Sequence, residues 1–251
     1  MTRRFRLLAG PNGSGKTTLK AYAAASSYDE SVKDFFRGGA ITVEEDCVRF
    51  KTSDAVNSYT VALLTAFLSA EHIRQGTSFS QETVFSHPSK VAALSDAQVA
   101  GFRTYLYFVA TEDPEINLGR VENRVGLGGH GVPSEKIVSR HAQSIGQVPA
   151  AIPHLSRAFF FDNSERTMRY LASWSKEDGL ACVEDVMMPS WFERLRPSLG
   201  AESKPLPRGT VFETSAEAAS REAVAEAFAA GLPITVLQDG RVVRLKGGGE
   251  F

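Results

Sequence analysis

Near the amino terminus, Gly10-Pro11-Asn12-Gly13-Ser14-Gly15-Lys16-Thr17-Thr18 fits the pattern G-x-x-x-x-G-K-[ST] at Gly10, Gly15, Lys16 and Thr17. Each of these residue types has a task in holding a polyphosphate. Glycines let the backbone turn tightly and aim successive N–H groups inward, and the positive end of a following helix adds to that field. Lys16 reaches toward the β- and γ-phosphates of ATP, and the Thr17 hydroxyl is placed to ligate Mg²⁺. The pattern carries this meaning only between a strand and a helix. Phe5, Leu7, Leu8 and Ala9 supply the apolar run that enters it, and residues 19–25 are compatible with the helix that leaves. Residues 10–18 therefore read as a P-loop.

A second set of residues suits phosphate chemistry. Arg120 and Arg124 lie four apart, so they share one helix face, and a Gly-rich stretch from Gly126 to Gly131 separates them from Lys136 and Arg140. Phosphoryl transfer asks for cations carried on a segment that can close over the transferring group. The plainer reading is a pair of solvated arginines with Glu115 or Glu122 as partners. Acids also fall where strands are expected to end: Asp46, Glu82 and Asp162. Phe159-Phe160-Phe161-Asp162 has the form of an apolar strand delivering a metal-binding carboxylate, a second choice for Mg²⁺ behind Asp46. Neither the NKxD motif of base-reading switches nor an LSGGQ-like transporter signature is present.

These groups need a scaffold that gathers strand ends. Strands are expected over residues 5–9, 40–43, 78–83, 105–110 and 159–162, with helices over 54–75, 88–100, from 114 onward and over 134–145. Tyr105-Leu106-Tyr107-Phe108-Val109-Ala110 is apolar on both faces, as a parallel strand covered on each side must be. Alternating strands and helices behind a P-loop indicate an α/β, doubly wound, mostly parallel sheet with helices on both faces. Residues 1–188 form this domain. Residues 189–251 read as a C-terminal extension: a helix fragment plus proline-rich linker from Pro189 to Pro207, an Ala-rich helix opened by Thr214-Ser215-Ala216-Glu217, and a β-hairpin turning at Asp239-Gly240.

Composition narrows the partners. Lys and Arg total 28 against 29 Asp and Glu across 251 residues, which gives no support for nucleic-acid or membrane-surface binding. Cys47 and Cys182 form no CxxC pair, and the histidines show no HxxxH spacing. No apolar run reaches signal-peptide or membrane-spanning length, so a cytoplasmic location is expected.

The ordered combination resembles the zeta-toxin kinases, and more closely the zeta-like ATPases of bacterial chromosomes. It consists of the P-loop, an acid before Cys47-Val48-Arg49, then Gln81-Glu82-Thr83, then Arg120-Val121-x-x-Arg124 leading to Gly128-Gly129-His130-x-Val132-Pro133. The hairpin sequence from Gly231 to Val243 is similar to a tail found in that group. The resemblance implies a kinase that moves the ATP γ-phosphate to a hydroxyl of a UDP-activated amino sugar, and an antitoxin protein as partner. It places Asp46 as general base with a further part in orienting Mg²⁺. Glu82, Thr83 and His130 fall on the substrate side, and Arg120, Arg124 and Arg140 beside the transferred phosphoryl group. Two other readings stay open: a kinase for an antibiotic, a nucleoside or a sugar acid, and a regulatory ATPase that docks a protein through its hairpin.

Overall fold

The computed structural model describes residues 2–19, 41–43, 54–129, 131–200, 202–206 and 211–247. Strand β1 (Arg4–Ala9) lies inside a sheet whose other strands are β2 (Ile41–Val43), β3 (Phe79–Thr83), β4 (Arg103–Ala110), β5 (Arg157–Asp162), β6 (Arg169–Ser175), β7 (Gly179–Val183) and β8 (Ser203–Leu206). Their order across the sheet is β2-β3-β1-β4-β5-β6-β7-β8. The first five in that order run parallel, β6 and β7 are antiparallel to their predecessors, and β8 is parallel to β7. The helices are α1 (Asp54–Gln75), α2 (Ser89–Val99), α3 (Pro114–Gly126), α4 (Ser134–Ala151), α5 (Ser190–Leu199) and α6 (Val211–Ala229). The expected α/β architecture is present, and α4 runs past its expected end with Pro149 in its last turns.

Alternation along the parallel strands divides the core into two layers. Phe5, Leu7 and Ala9 of β1, with Leu106, Phe108 and Ala110 of β4, face a layer completed by Leu94, Val148, Trp191 and Phe192 from α2, α4 and α5. Leu8, Tyr107, Val109, Phe159 and Phe161 face the other side, where Met168 and Ala216 of α6 close over them. Stacked rings tie neighbouring strands together: Phe5 on Phe79 at 4.3 Å between centroids, and Tyr107 on Phe159 at 4.8 Å. Such pairs add to the burial of the rings themselves.

The C-terminal third divides differently from its sequence pattern. Residues 190–206, grouped by their prolines with a linker, supply α5 to the core and β8 to the edge of the main sheet. Trp191 and Phe192 are fully buried, and Glu112 at the end of β4 caps α5, accepting from the Trp191 N–H at 3.4 Å and from the Ser190 hydroxyl. Pro189 precedes the helix and Pro205 lies on an edge strand, where proline is tolerated, whereas Pro197 sits inside α5 near its end. The antiparallel pair β6–β7 is an element that periodicity alone did not bring out. Beyond it, α6 precedes the hairpin of β9 (Ile234–Gln238) and β10 (Arg241–Leu245), which turns at Asp239-Gly240 with both residues at positive φ, 50° and 73°. This is the geometry that two-residue hairpin loops prefer.

Trp191 fills the space beneath Phe108, with ring centroids 5.8 Å apart, and its Nε1 donates to Asp162 at 3.0 Å. Trp191→Ala is expected to lower unfolding stability by about 3–5 kcal/mol, read from urea denaturation followed by far-UV circular dichroism.

Candidate functional site

The site forms at the carboxyl ends of the central strands, where ligands bind in open parallel sheets. Strand β1 delivers the chain into the loop between β3 on one side and β4 on the other. At Gly10 a side chain is impossible: a Cβ there would lie 1.9 Å from the Val109 carbonyl oxygen of β4. Gly15 has φ +96°, and its missing Cβ would meet Asn163 Nδ2 at 2.4 Å. Helix begins at Lys16, and the Leu19 N–H donates to the Gly15 carbonyl at 3.0 Å. Lys16 is buried, and its Nζ donates to the Gly10 and Pro11 carbonyls at 2.9 Å each, curling over the loop that would hold the phosphates.

Two side-chain amides brace this loop from distant parts of the chain. Asn117 of α3 donates to the Asn12 carbonyl at 2.6 Å, and Asn163 after β5 donates to the Ser14 carbonyl at 2.9 Å. The Asn117 amide oxygen in turn accepts from the Thr111 hydroxyl, and the Thr111 carbonyl accepts from His141 Nε2 at 2.8 Å. Burial lowers the pKa of His141, which favours the neutral ring. Neither asparagine belongs to a motif, and so both escaped sequence reasoning. For Asn163 the one available signal is a polar residue beside an apolar strand end, whereas Asn117 lies inside α3.

Strand β3 brings its acid to the loop. Leu8 pairs with Glu82 and Ala9 with Thr83, and the Thr17 hydroxyl donates to Glu82 Oε1 at 2.8 Å. The carboxylate assigned from resemblance to the substrate thus touches the hydroxyl assigned to the metal. Thr83 is buried, with its Oγ1 accepting from the Phe85 N–H at 3.2 Å. Phe85 itself is fully buried with φ 61°, an uncommon conformation for a bulky residue, held by its packing against Phe108 at 6.5 Å between ring centroids. The Val84 carbonyl between them accepts from Ser144 of α4 at 2.5 Å.

The arginines separate by environment. Arg120 is half-buried, and its Nη1 is enclosed without a hydrogen-bond acceptor among the described residues. Burial lowers its pKa to about 10, partly offset by the charge of Asp162, so it remains a cation at neutral pH. An enclosed guanidinium nitrogen without an acceptor suits an anionic ligand. Arg124, four residues on, is exposed. Arg140 approaches from α4, with Nη1 3.5 Å from the Asn12 amide oxygen. Helices α3 and α4 thus both reach Asn12 of the P-loop, through Asn117 and Arg140. Asp46 and His130 lie outside the described residues.

Asp162 is fully buried and already occupied. Its Oδ1 accepts from the Ser164 hydroxyl at 2.7 Å and from Trp191 Nε1 at 3.0 Å, and its Oδ2 pairs with Arg169 at 3.0 Å. Among the described residues no group of three or more His, Cys, Asp or Glu gathers as a metal centre. The hydroxyl of Thr17 and the carboxylate of Glu82 are hard oxygen donors, and they fit Mg²⁺, which takes one or two protein ligands together with substrate phosphates and water. No helix among those described is long and apolar enough to cross a membrane.

A family model described as Zeta toxin matches residues 3–167. An uncharacterised protein of Haemophilus influenzae is 26% identical over 141 residues, spanning 56% of this chain and 94% of its own. Among solved structures, AvrRxo1-ORF1 in complex with ORF2 and ATP is similar at a TM-score of 0.58 and 13% identity, over 88% of this chain and 76% of that one. A structure from the PezAT toxin-antitoxin system of Streptococcus pneumoniae has 14% identity and a TM-score of 0.47, over 90% of this chain and 87% of that one.

The close approach at Gly15 makes a direct test. Gly15→Ala is expected to abolish ATP binding in isothermal titration, whereas Asn163→Ala removes one brace of the loop and weakens binding about tenfold, roughly the worth of one buried hydrogen bond.

Proposed function

The chain belongs to the zeta toxin family of phosphotransferases, and from that premise we propose that it transfers the γ-phosphate of ATP to a hydroxyl of a sugar nucleotide, a UDP-N-acetyl amino sugar. The observation that carries this reading is the convergence on one loop of Lys16, Glu82 and the arginine-bearing helices α3 and α4. A site that only bound nucleotide would have little use for an enclosed guanidinium, unpaired among the described residues, on a helix that braces the phosphate loop.

The polyphosphate of ATP lies along the N–H groups of residues 10–18 and at the amino end of the helix that starts at Lys16. On binding, Lys16 Nζ exchanges the Gly10 and Pro11 carbonyls for the β- and γ-phosphate oxygens. Thr17 and Glu82 would hold Mg²⁺, with Asp46 orienting it. The metal supplies neutralisation of phosphate charge. Asp46 accepts the proton of the acceptor hydroxyl as its oxygen bonds to the γ-phosphorus, and the bond from that phosphorus to the β–γ bridging oxygen breaks, releasing ADP. Arg120, Arg124 and Arg140 compensate the charge on the transferring group. Glu82, Thr83 and His130 border the acceptor. Asp162, with its lone pairs committed to Ser164, Trp191 and Arg169, acts as a scaffold that holds α5 and the loop after β5 against the site.

The family supports a toxin, and we propose a cytoplasmic protein held inactive by an antitoxin. The likeness to AvrRxo1-ORF1, solved with ORF2, supports a two-component assembly. A kinase for an antibiotic, a nucleoside or a sugar acid would use the same donor side, and the acceptor screen separates these readings.

Incubation with ATP, Mg²⁺ and a panel of UDP-sugars, nucleosides, sugar acids and aminoglycosides should give one phosphorylated product by mass spectrometry. Asp46→Asn is expected to slow its formation about 10²–10⁴-fold, and full turnover by that variant would remove Asp46 as base. Glu82→Gln separates two roles: a metal ligand raises the Mg²⁺ concentration needed for half-maximal rate, whereas a substrate contact raises the acceptor KM at constant Mg²⁺ dependence.

A further inference from the structure

The C-terminal hairpin lies between two helices, and its two faces do different things. Ile234 and Val236 of β9 turn toward α6, where they bury against Val224 together with Ala227 and Phe228. The intervening residue, Thr235, points the other way by the period of two in a strand. It is only 3% exposed and fills a notch in α3, because a Cβ on Gly119 would lie 2.0 Å from Thr235 Oγ1 and 2.7 Å from its Cβ. Gly119 immediately precedes Arg120. Helix and strand can approach this closely at that point only because residue 119 has no side chain.

Two further contacts align the helix with the hairpin, and a third ties the hairpin to the loop after β5. Asn123 Nδ2 donates to the Pro233 carbonyl that leads into β9, and Arg244 of β10 pairs with Glu122. At the far end of β9, the Leu237 N–H donates to the Ser164 carbonyl at 2.8 Å. Ser164 is the residue whose hydroxyl holds Asp162, and Asp162 is the nearby charge felt by Arg120. The hairpin therefore touches the arginine helix over little more than one turn, from Gly119 to Asn123, and also the loop that carries the buried counter-charge. Its base is anchored separately: Ser220 of α6 accepts from the Met168 N–H at 2.5 Å, and α6 covers β6.

We propose that the β9–β10 hairpin is a positioning clamp for α3. By seating Thr235 against Gly119 it sets the rotation and depth of the helix, and with them the place of Arg120 relative to Asp162. Thr235 is a positioning residue; it acts through the helix. This rests on the reading of Arg120 as a cation for the transferring phosphate. Nucleotide affinity comes mainly from the main chain of residues 10–18 and from Lys16, whereas the described contacts of the hairpin fall on α3, α6 and the loop after β5. The clamp is thus a determinant of rate rather than of binding, since a misplacement of about 1 Å in a positioning group can cost on the order of 10²-fold in rate.

The test is a rescue cycle in the full chain, with ATP and Mg²⁺ as probe and ADP formation as readout, with water as acceptor. Gly119→Ala pushes the added methyl into Thr235 and is expected to lower kcat about tenfold with the KM for ATP unchanged. Thr235→Gly removes all of the side-chain atoms that the methyl meets, so the double variant is expected to recover at least half of the loss. Amide hydrogen exchange over residues 114–126 should rise in Gly119→Ala and return in the double variant, a readout independent of turnover. An unchanged kcat or exchange in Gly119→Ala, a KM for ATP that rises in step, or a loss that Thr235→Gly does not recover would each overturn the clamp. Arg120→Ala separates this from the parent reading: a normal kcat in that variant removes the arginine role, even where exchange still records the hairpin gripping the helix. Asn123→Ala, which removes one hydrogen bond without adding bulk, should move kcat in the same direction by about threefold, and an inert Asn123→Ala counts against the clamp.

Discussion

The structure depends on one steric condition: the phosphate loop must lie against its neighbours more closely than any side chain permits. The Val109 carbonyl occupies the place of a Cβ at Gly10, and the Asn163 amide occupies that place at Gly15. A loop carrying inward N–H groups is under-determined by its own hydrogen bonds, because those groups must stay available to a ligand. Its shape has to be imposed from outside. Strand β4, helix α3 and the turn after β5 impose it, which explains why β1 lies between β3 and β4 rather than at an edge. The order of the parallel strands is in this sense a consequence of the loop.

The same logic extends outward through polar groups rather than apolar ones. Asn117 joins the loop to Thr111, and Thr111 joins it to His141 of α4. Asp162 ties Ser164, Trp191 and Arg169 together beneath Asn163. Removing one member of such a buried network leaves its partners unsatisfied, so the members specify one arrangement together. A buried carboxylate with four available lone-pair sites and three donors directed at it is already compensated without a metal. This separates Asp162 from Glu82, which accepts from the Thr17 hydroxyl, a group that can turn toward an incoming cation.

Much of the fold was legible because its signals are local. Residues 105–110 have the continuous apolar run of a doubly covered strand, Asp113-Pro114 caps and opens α3 as such pairs do, and Asp239-Gly240 turns the terminal hairpin. The donor side of the site was legible for the same reason, since the P-loop compresses its ligands into nine consecutive residues. What the sequence concealed is non-local. Asn117 and Asn163 meet the loop from 105 and 149 residues away, and no spacing rule connects them to it. Residues 189–206 concealed their place in the core because prolines are scored by composition, whereas their cost depends on position. Pro189 stands before a helix and Pro205 on a sheet edge, where the missing N–H does little harm.

Arg120 brings these levels together. Its spacing from Arg124 pointed to one shared helix face, yet the two residues differ in environment because α3 is gripped on a second side by the hairpin. Burial alone would make a guanidinium at that position costly. Asp162 offsets part of the cost through space without bonding to it, so the cation stays charged while one of its nitrogens still lacks an acceptor. A closer carboxylate would have neutralised that electrostatic demand within the protein, and a solvated site would have left it to water. The intermediate arrangement suits an anionic partner, and it needs Asp162 and α3 to be held apart at a fixed distance. Leu237 on Ser164 and Thr235 on Gly119 bridge those two elements from one strand.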